Sequence, residues 1–239
     1  MVLTPGTPPR CFALVPCAGW GERAGGDLPK QYRSLAGKPV VAHTLDALAA
    51  VPRIDATLVV LAPDDRWFDA ALPAFDGERG WVSHAGGATR AETVRAGLRE
   101  LRERGVAAHD WVLVHDAARC LVRPAWIERL IDACADDAVG GLFALALADT
   151  LKEADAAGRV AATVDRQRKW AAQTPQMFRL ALLERALDHA ASAAVAVTDE
   201  SGAVEALGHA PRLVAGDIEN FKLTWPGDFE LARRLLQTR

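Results

Sequence analysis

Leu14 to Lys30 reads LVPCAGWGERAGGDLPK, and how this stretch is parsed decides the fold. The apolar run Cys11 to Val15 predicts a buried first strand. It breaks at Pro16 into a loop with glycines at 19, 21, 25 and 26. The loop then delivers Arg23 and, after Pro29, Lys30. Glycines let a backbone approach a ligand closely and adopt positive φ, and successive N–H groups in such a loop form a concave anion site. Two cations at one end make a phosphate chain the expected anion, with Arg able to grip it through two donors. Gly19-Trp20-Gly21 also opens like a dinucleotide fingerprint, with Ala24 third. Yet Gly25-Gly26-Asp27-Leu28-Pro29 breaks the helix that should follow at once. A Walker loop fails too, because Lys30 stands between Pro29 and Gln31. A plain glycine-rich turn after a first strand is the bland alternative.

Outward from this stretch, strand-like and helix-like segments alternate. Pro39 to Val51 predicts a helix, with Pro39 in its first turn and Val41, Leu45 and Leu48 on one face. Thr57 to Leu61 predicts a second strand, Pro63-Asp64-Asp65 the start of a short helix, and Trp81 to His84 a third strand. Thr89 and Glu92 form a capping-box pattern ahead of the stripe Val94, Leu98, Leu101. Trp111 to Val114 is the clearest buried strand and runs into His115-Asp116-Ala117-Ala118-Arg119. Pro124 opens a helix to Cys134, and Gly140 to Ala146 reads as a strand. The alternation argues for a mostly parallel α/β sheet covered on both faces. Ligands in such sheets bind beyond the carboxyl ends of the strands, so the loops after Val15, His84 and Val114 are expected to share one site.

Residues 149–176 differ. They are polar, with Gly158 between two β-tolerant arms, one carrying Lys152 and the other running from Val160 to Val164. This predicts a hairpin excursion, and packing on a partner chain is one job for it. Helices follow at about 179–191 and 201–207, a strand at Leu213–Ala215, a short strand at Phe221–Thr224 and a last helix at 226–237.

The 239 residues suit one domain, with residues 1–10 a loose tail. A net charge of -3 gives no electrostatic case for nucleic acid or a membrane surface. No apolar run reaches the length of a membrane span or a signal segment. Cysteines 11, 17, 120 and 134 show no zinc spacing. Reduced thiols in the cytoplasm are the expectation, with Cys17 placed to react with thiol reagents or to serve as a small filler.

Single residues admit two readings. Asp116, at a strand end, can hold a magnesium ion or a ribose hydroxyl, or make a loop salt bridge with Arg119. His115 reads as structural. Arg166 and Lys222 are surface cations by default, although Lys222 lies between Phe221 and Leu223. Thr174-Pro175-Gln176 and Thr198-Asp199-Glu200 read as turn and cap chemistry.

The set VPCAGWGERAGGDLPKQY, HDAAR, DTLK, TVDR, QTPQ, TDES and FKLT resembles, in order and spacing, the 2-C-methyl-D-erythritol 4-phosphate cytidylyltransferase family of the non-mevalonate isoprenoid pathway. The resemblance covers about residues 11 to 237. It implies a three-layer α/β sandwich with a Rossmann-like sheet and a homodimer, with the excursion at about 149–172 as an interlocking dimer arm. It implies that CMP passes from CTP to methylerythritol phosphate with magnesium on the triphosphate. It assigns Arg23 and Lys30 to the transition state, and Arg166 and Lys222 to placing the attacking phosphate. Asp116, Arg119, Thr150, Thr174 and Thr198 match positions around methylerythritol phosphate, Thr150 and Arg166 coming from the other subunit. Cys17, Ala18, Gly19, Trp20 and Gly21 match the triphosphate loop, and Gly87, Ala88 and Thr93 the cytosine and ribose contacts. Asp116 and Ala117 border the nucleotide, and Asp116 is the one protein candidate for the metal. Four positions depart from the usual pattern: Cys17 for Ala, Ala88 for an acidic residue, Cys120 for Pro and Trp225 for Arg. A ribitol- or sugar-phosphate cytidylyltransferase is the nearest alternative. A non-catalytic nucleotide-binding module and an NAD oxidoreductase are more distant ones.

Overall fold

A computed structural model describes residues 8–21 and 28–238; Arg23 and the tail up to residue 7 lie outside the described residues. β1 (Cys11–Pro16), β4 (Ile54–Val60), β5 (Gly80–Ser83), β6 (Trp111–Val114), β7 (Gly140–Ala146), β10 (Trp170–Arg179) and β11 (Arg212–Ala215) build one sheet. Its order is β11-β7-β10-β6-β1-β4-β5. Every pairing is parallel except those of β10, which runs antiparallel to both β6 and β7. The short strands β2 (Ser34–Leu35) and β3 (Lys38–Pro39) pair with each other, as do β8 (Leu151–Ala154) and β9 (Val160–Val164).

Alternate residues of β1 serve opposite faces, as a pleated strand requires. Phe12 and Leu14 pack with α3 (Arg90–Glu103), α5 (Leu180–Ser192) and α6 (Glu200–Ala206) through Leu98, Leu183 and Val204. Ala13 and Val15 pack with α1 (Val40–Ala49) and α4 (Pro124–Cys134) through Leu45 and Ile127. Three layers result, with apolar strands buried on both faces. Gly97 lets α3 sit close to the sheet: a Cβ there would stand 2.7 Å from Leu14 and 2.8 Å from Val60. A third cluster, Leu35, Val40, Ala118, Leu121, Leu223 and Ala232, fastens α7 (Pro226–Gln237) to the loop after β6.

Most expected elements stand where the sequence placed them, and Thr89 and Glu92 do form the reciprocal cap of α3. Three differ. The helix expected at Pro63 begins later, as α2 (Phe68–Ala71), because Asp65 Oδ1 first accepts from the N–H groups of Trp67 and Phe68. Phe221–Thr224 is no strand: Leu223 N–H donates to Ala118 O, and the segment joins no sheet. The polar stretch assigned to the excursion ends in β10, whose residues Gln173 to Phe178 are buried in the main sheet. Pro175 lacks an N–H, and the pairing with β7 slips register between Ala172 and Gln176, where such a residue is tolerated. The excursion proper is the β8–β9 hairpin, almost wholly exposed.

Candidate active site

The carboxyl ends of β1, β5 and β6 open onto one cavity of about 230 Å³. It lies where neighbours of β1 leave in opposite directions, toward β4 on one side and β6 on the other, which is where such sheets bind ligands. The loops forecast to converge do so. Cys17, Ala18, Gly19, Gly21, Lys30, Gly87, Ala88, Thr93, Asp116, Ala117 and Lys222 all line the cavity.

The first wall is the glycine loop. Gln31 Nε2 donates to the carbonyls of Cys17 and Gly19, and Lys30 N–H donates to Trp20 O, so the loop is cinched at its base. Trp20 lies half exposed, its ring edge-on to Trp67. Gly21 has φ +78°, and the Lys30 stem crosses it so closely that a Cβ would meet Lys30 Cδ at 2.6 Å. Lys30 Nζ donates to Leu223 O at 2.9 Å, which sets it beside Lys222. Cys17 is buried, and burial foremost pushes its thiol up to about 12, so the filler reading holds and the reactive one does not.

The second wall is the turn before α3. Gly87 N–H donates to Thr93 Oγ1, which donates onward to Thr89 O, so Thr93 shapes the turn that carries Ala88. The carboxylate of Glu92 lies behind this turn, accepting from Thr89 N–H, and does not line the cavity.

The floor is Asp116. Its backbone N–H donates to Thr174 Oγ1, and that hydroxyl also meets His115 Nδ1. Its Oδ1 accepts from Arg90 Nε at 2.9 Å, while Oδ2 faces Lys222 Nζ at 3.0 Å and Arg119 Nε at 3.5 Å. Burial alone would raise the Asp116 carboxyl; Arg90, Lys222 and Arg119 outweigh it and hold the group well below the usual carboxylate range. His115 moves the other way, down to about 4, chiefly through burial, in keeping with its structural reading. Arg119 braces the site, donating to the carbonyls of Asn220 and Ala172.

The remaining expected residues lie apart. Thr198 lines a neighbouring cavity with Arg90 and Glu200. Thr150 is exposed just before β8, and Arg166, also exposed, donates to Ala148 O at the base of the hairpin. Arg90 escaped the sequence reading, which took Glu200 only for turn and cap chemistry. Arg90 binds Asp116 on one side and both oxygens of buried Glu200 on the other, at 2.6 and 3.0 Å. One signal was available: an arginine at the first position of a helix opposes the helix dipole and so asks for a partner.

Fold and cavity together are those of an α/β nucleotidyltransferase, with a glycine loop, two lysines and a buried aspartate around one cleft. The sequence matches the family IspD, 2-C-methyl-D-erythritol 4-phosphate cytidylyltransferase, over residues 11–238, and the chain belongs to that family. A 2-C-methyl-D-erythritol 4-phosphate cytidylyltransferase from Laribacter hongkongensis is 56% identical over 230 residues, covering 95% of this chain and 96% of that one. A bifunctional IspD/IspF enzyme of Albidiferax ferrireducens is 59% identical over 233 residues; the match takes in 98% of this chain but 54% of that protein, so this chain spans about half its length. Among solved structures, a 4-diphosphocytidyl-2C-methyl-D-erythritol synthase superposes with a TM-score of 0.84 at 43% identity, covering 97% of this chain and all of that one. The Francisella tularensis 2-C-methyl-D-erythritol 4-phosphate cytidylyltransferase gives 0.81 at 32% identity, covering 94% and 99%.

Proposed function

We propose that this chain transfers CMP from CTP to 2-C-methyl-D-erythritol 4-phosphate, giving 4-diphosphocytidyl-2-C-methyl-D-erythritol and pyrophosphate. The observation that carries this is the convergence of Lys30 and Lys222 on one cavity floored by Asp116, in a chain of that family. A phosphate oxygen of the acceptor attacks the α-phosphorus in line, and pyrophosphate leaves from the opposite face. Charge builds on the phosphoryl oxygens, so the protein contributes positioning and preorganised cations. Lys30, with Arg23 from the adjoining loop, is assigned to that charge; Lys222 is assigned to the acceptor phosphate. Two carboxylates, Asp116 and Glu200, stand against three cations, Arg90, Arg119 and Lys222. The excess is positive before Lys30 is counted, which suits a triphosphate.

Magnesium fits as part of the nucleotide. Among the described residues no three His, Cys, Asp or Glu side chains gather to hold a metal, and Asp116 is the single carboxylate lining the cavity. The triphosphate oxygens would therefore carry most of its coordination, with Asp116 as one protein ligand. The turn at Gly87–Ala88 is assigned to the base through main-chain groups. The exposed β8–β9 hairpin is assigned to a second copy of the chain, where Thr150 and Arg166 would reach the partner's acceptor site. Both are exposed and neither lines this chain's own cavity, which supports that reading. No helix among the described residues is long and apolar enough to cross a membrane.

Pyrophosphate release tests the proposal. Magnesium and CTP are offered with methylerythritol phosphate or ribitol 5-phosphate, and ATP, GTP and UTP replace CTP in controls. Release is expected only with CTP and methylerythritol phosphate. Release with ribitol 5-phosphate instead would move the acceptor assignment to a sugar phosphate, and none with either would remove the catalytic reading.

A further inference from the structure

Among the described residues, Arg90 is the one side chain lining both the cavity beside Asp116 and the neighbouring cavity beside Thr198 that is ion-paired in two directions. Each end of this bridge is anchored. Arg90 opens α3, whose start is locked by the Thr89–Glu92 cap. Glu200 opens α6, where Asp199 accepts from Gly202 N–H and is itself held by Gln176, which also accepts from Ser201 N–H. Glu200 is 1% exposed and uses both oxygens on Arg90. An arginine fork gripped at two nitrogens has little freedom left, so its third nitrogen, Nε, presents to Asp116 at a fixed place. The Asp116 backbone is fixed from below by Thr174. With Oδ1 held by Nε, the carboxylate plane is set, and Oδ2 faces Lys222 and Arg119.

We propose that Arg90, held by Glu200, is a positioning residue for the transfer: it sets the plane of the Asp116 carboxylate and thereby the place of Lys222 in the cavity. This rests on the catalytic reading above, in which Lys222 meets the acceptor phosphate. Asp116 alone would be free to turn its carboxylate onto Lys222 with both oxygens and draw the ammonium down to the floor. Arg90 occupies one oxygen and leaves Lys222 a single bond.

The test is the paired variant Arg90→Gln/Glu200→Gln, which removes one charge of each sign and so leaves no buried ion unpaired, with Arg90→Lys as a second variant that keeps the charge and loses the fork. Each is made in the native chain and in a Lys222→Met background, and its fold is checked by thermal melting. In the native background kcat is expected to fall roughly 10- to 100-fold, the scale of an ångström misplacement, with KM for CTP within about 3-fold. In the Lys222→Met background the further loss is expected to stay under about 3-fold, because the residue being positioned is gone. Equal losses in both backgrounds, or a folded variant with native kcat, would overturn the inference. A crystal structure of either variant decides independently of turnover: Asp116 and Lys222 are expected to shift together, and finding both unmoved would also overturn it. A native protein without CTP-dependent turnover would instead count against the functional reading, with the crystallographic result still judging the clamp.

Discussion

Replacing Gly21 by alanine should damage turnover far more than stability. Two costs arise and can be separated. The first is conformational: at φ +78° an L-residue loses about 1 kcal/mol relative to glycine. The second is contact. The new methyl would stand 2.6 Å from Lys30 Cδ and 2.7 Å from Cγ, whereas carbon pairs settle near 3.5–4.0 Å. The Lys30 stem must retreat by about 1 Å. A lysine stem bends cheaply, so folding loses little from this, but Nζ leaves its bond to Leu223 O and its place beside Lys222. A misplacement of that size costs on the order of 100-fold in rate, about 2.7 kcal/mol of barrier. Gly105→Ala is the matched control: φ is +85°, and nothing lies within 4 Å of its added Cβ. Thermal melting and pyrophosphate release are measured on both. Similar melting-point losses of about 2–4 °C, with turnover falling only in Gly21→Ala, is the expected pattern. Native turnover in Gly21→Ala would refute the placement of Lys30.

Lys30→Ala should lose about 10²-fold or more in kcat while folding normally, the scale for one preorganised donor; near-native turnover would remove its role. Mixing Arg166→Ala and Lys30→Ala proteins, each inactive, should restore part of the activity once subunits exchange, and no recovery with exchange verified would mean the hairpin does not act across an interface. Cys17 should stay unmodified by iodoacetamide at pH 8 in the folded protein, since its buried thiol titrates near 12; rapid labelling read by mass spectrometry would contradict its burial. His115 titrates near 4 folded against 6.5 for an ordinary imidazole. The unfolded chain therefore binds the extra proton first, and stability present above pH 6.5 should decline as pH falls toward 4, by roughly 3 kcal/mol for the one group. Denaturant unfolding of the native protein and His115→Gln across that range checks it; identical pH slopes would sink the assignment.

Local chemistry was legible wherever neighbours in sequence decide the outcome. Pro124 opened its helix, Pro39 came just before one rather than in its first turn, Thr89 and Glu92 capped α3, and apolar strands ended in the loops that meet at the cavity. The family motifs then supplied names for Lys30, Lys222 and Asp116 that periodicity alone could not. What stayed hidden depends on partners far along the chain. β10 looked polar because Gln173, Thr174 and Gln176 do their work as buried hydrogen-bonding groups against Asn220, Asp116 and α6. The Phe221–Thr224 run looked like a strand from its apolar residues, yet it finds one backbone partner at Ala118 and no sheet edge. Arg90 and Glu200 are 110 positions apart; an arginine opening a helix asks for a partner, but nothing near it in sequence says which.

The antiparallel placement of β10 has a consequence for how the chain is made. β7 emerges from the ribosome before β10, yet in the finished sheet β10 lies between β7 and β6. At roughly 5–20 residues per second, β7 must wait seconds for the strand that links it to the growing sheet, and β6 meanwhile presents an open edge of the kind that recruits stray strands. The exposed hairpin is made during that interval. The joining of β7 to the rest of the sheet and the fixing of the Asp116 backbone coincide, because Thr174, which holds Asp116, arrives on β10 itself. A nascent chain halted before β10 would hold the glycine loop and both early lobes of the core, but no finished site.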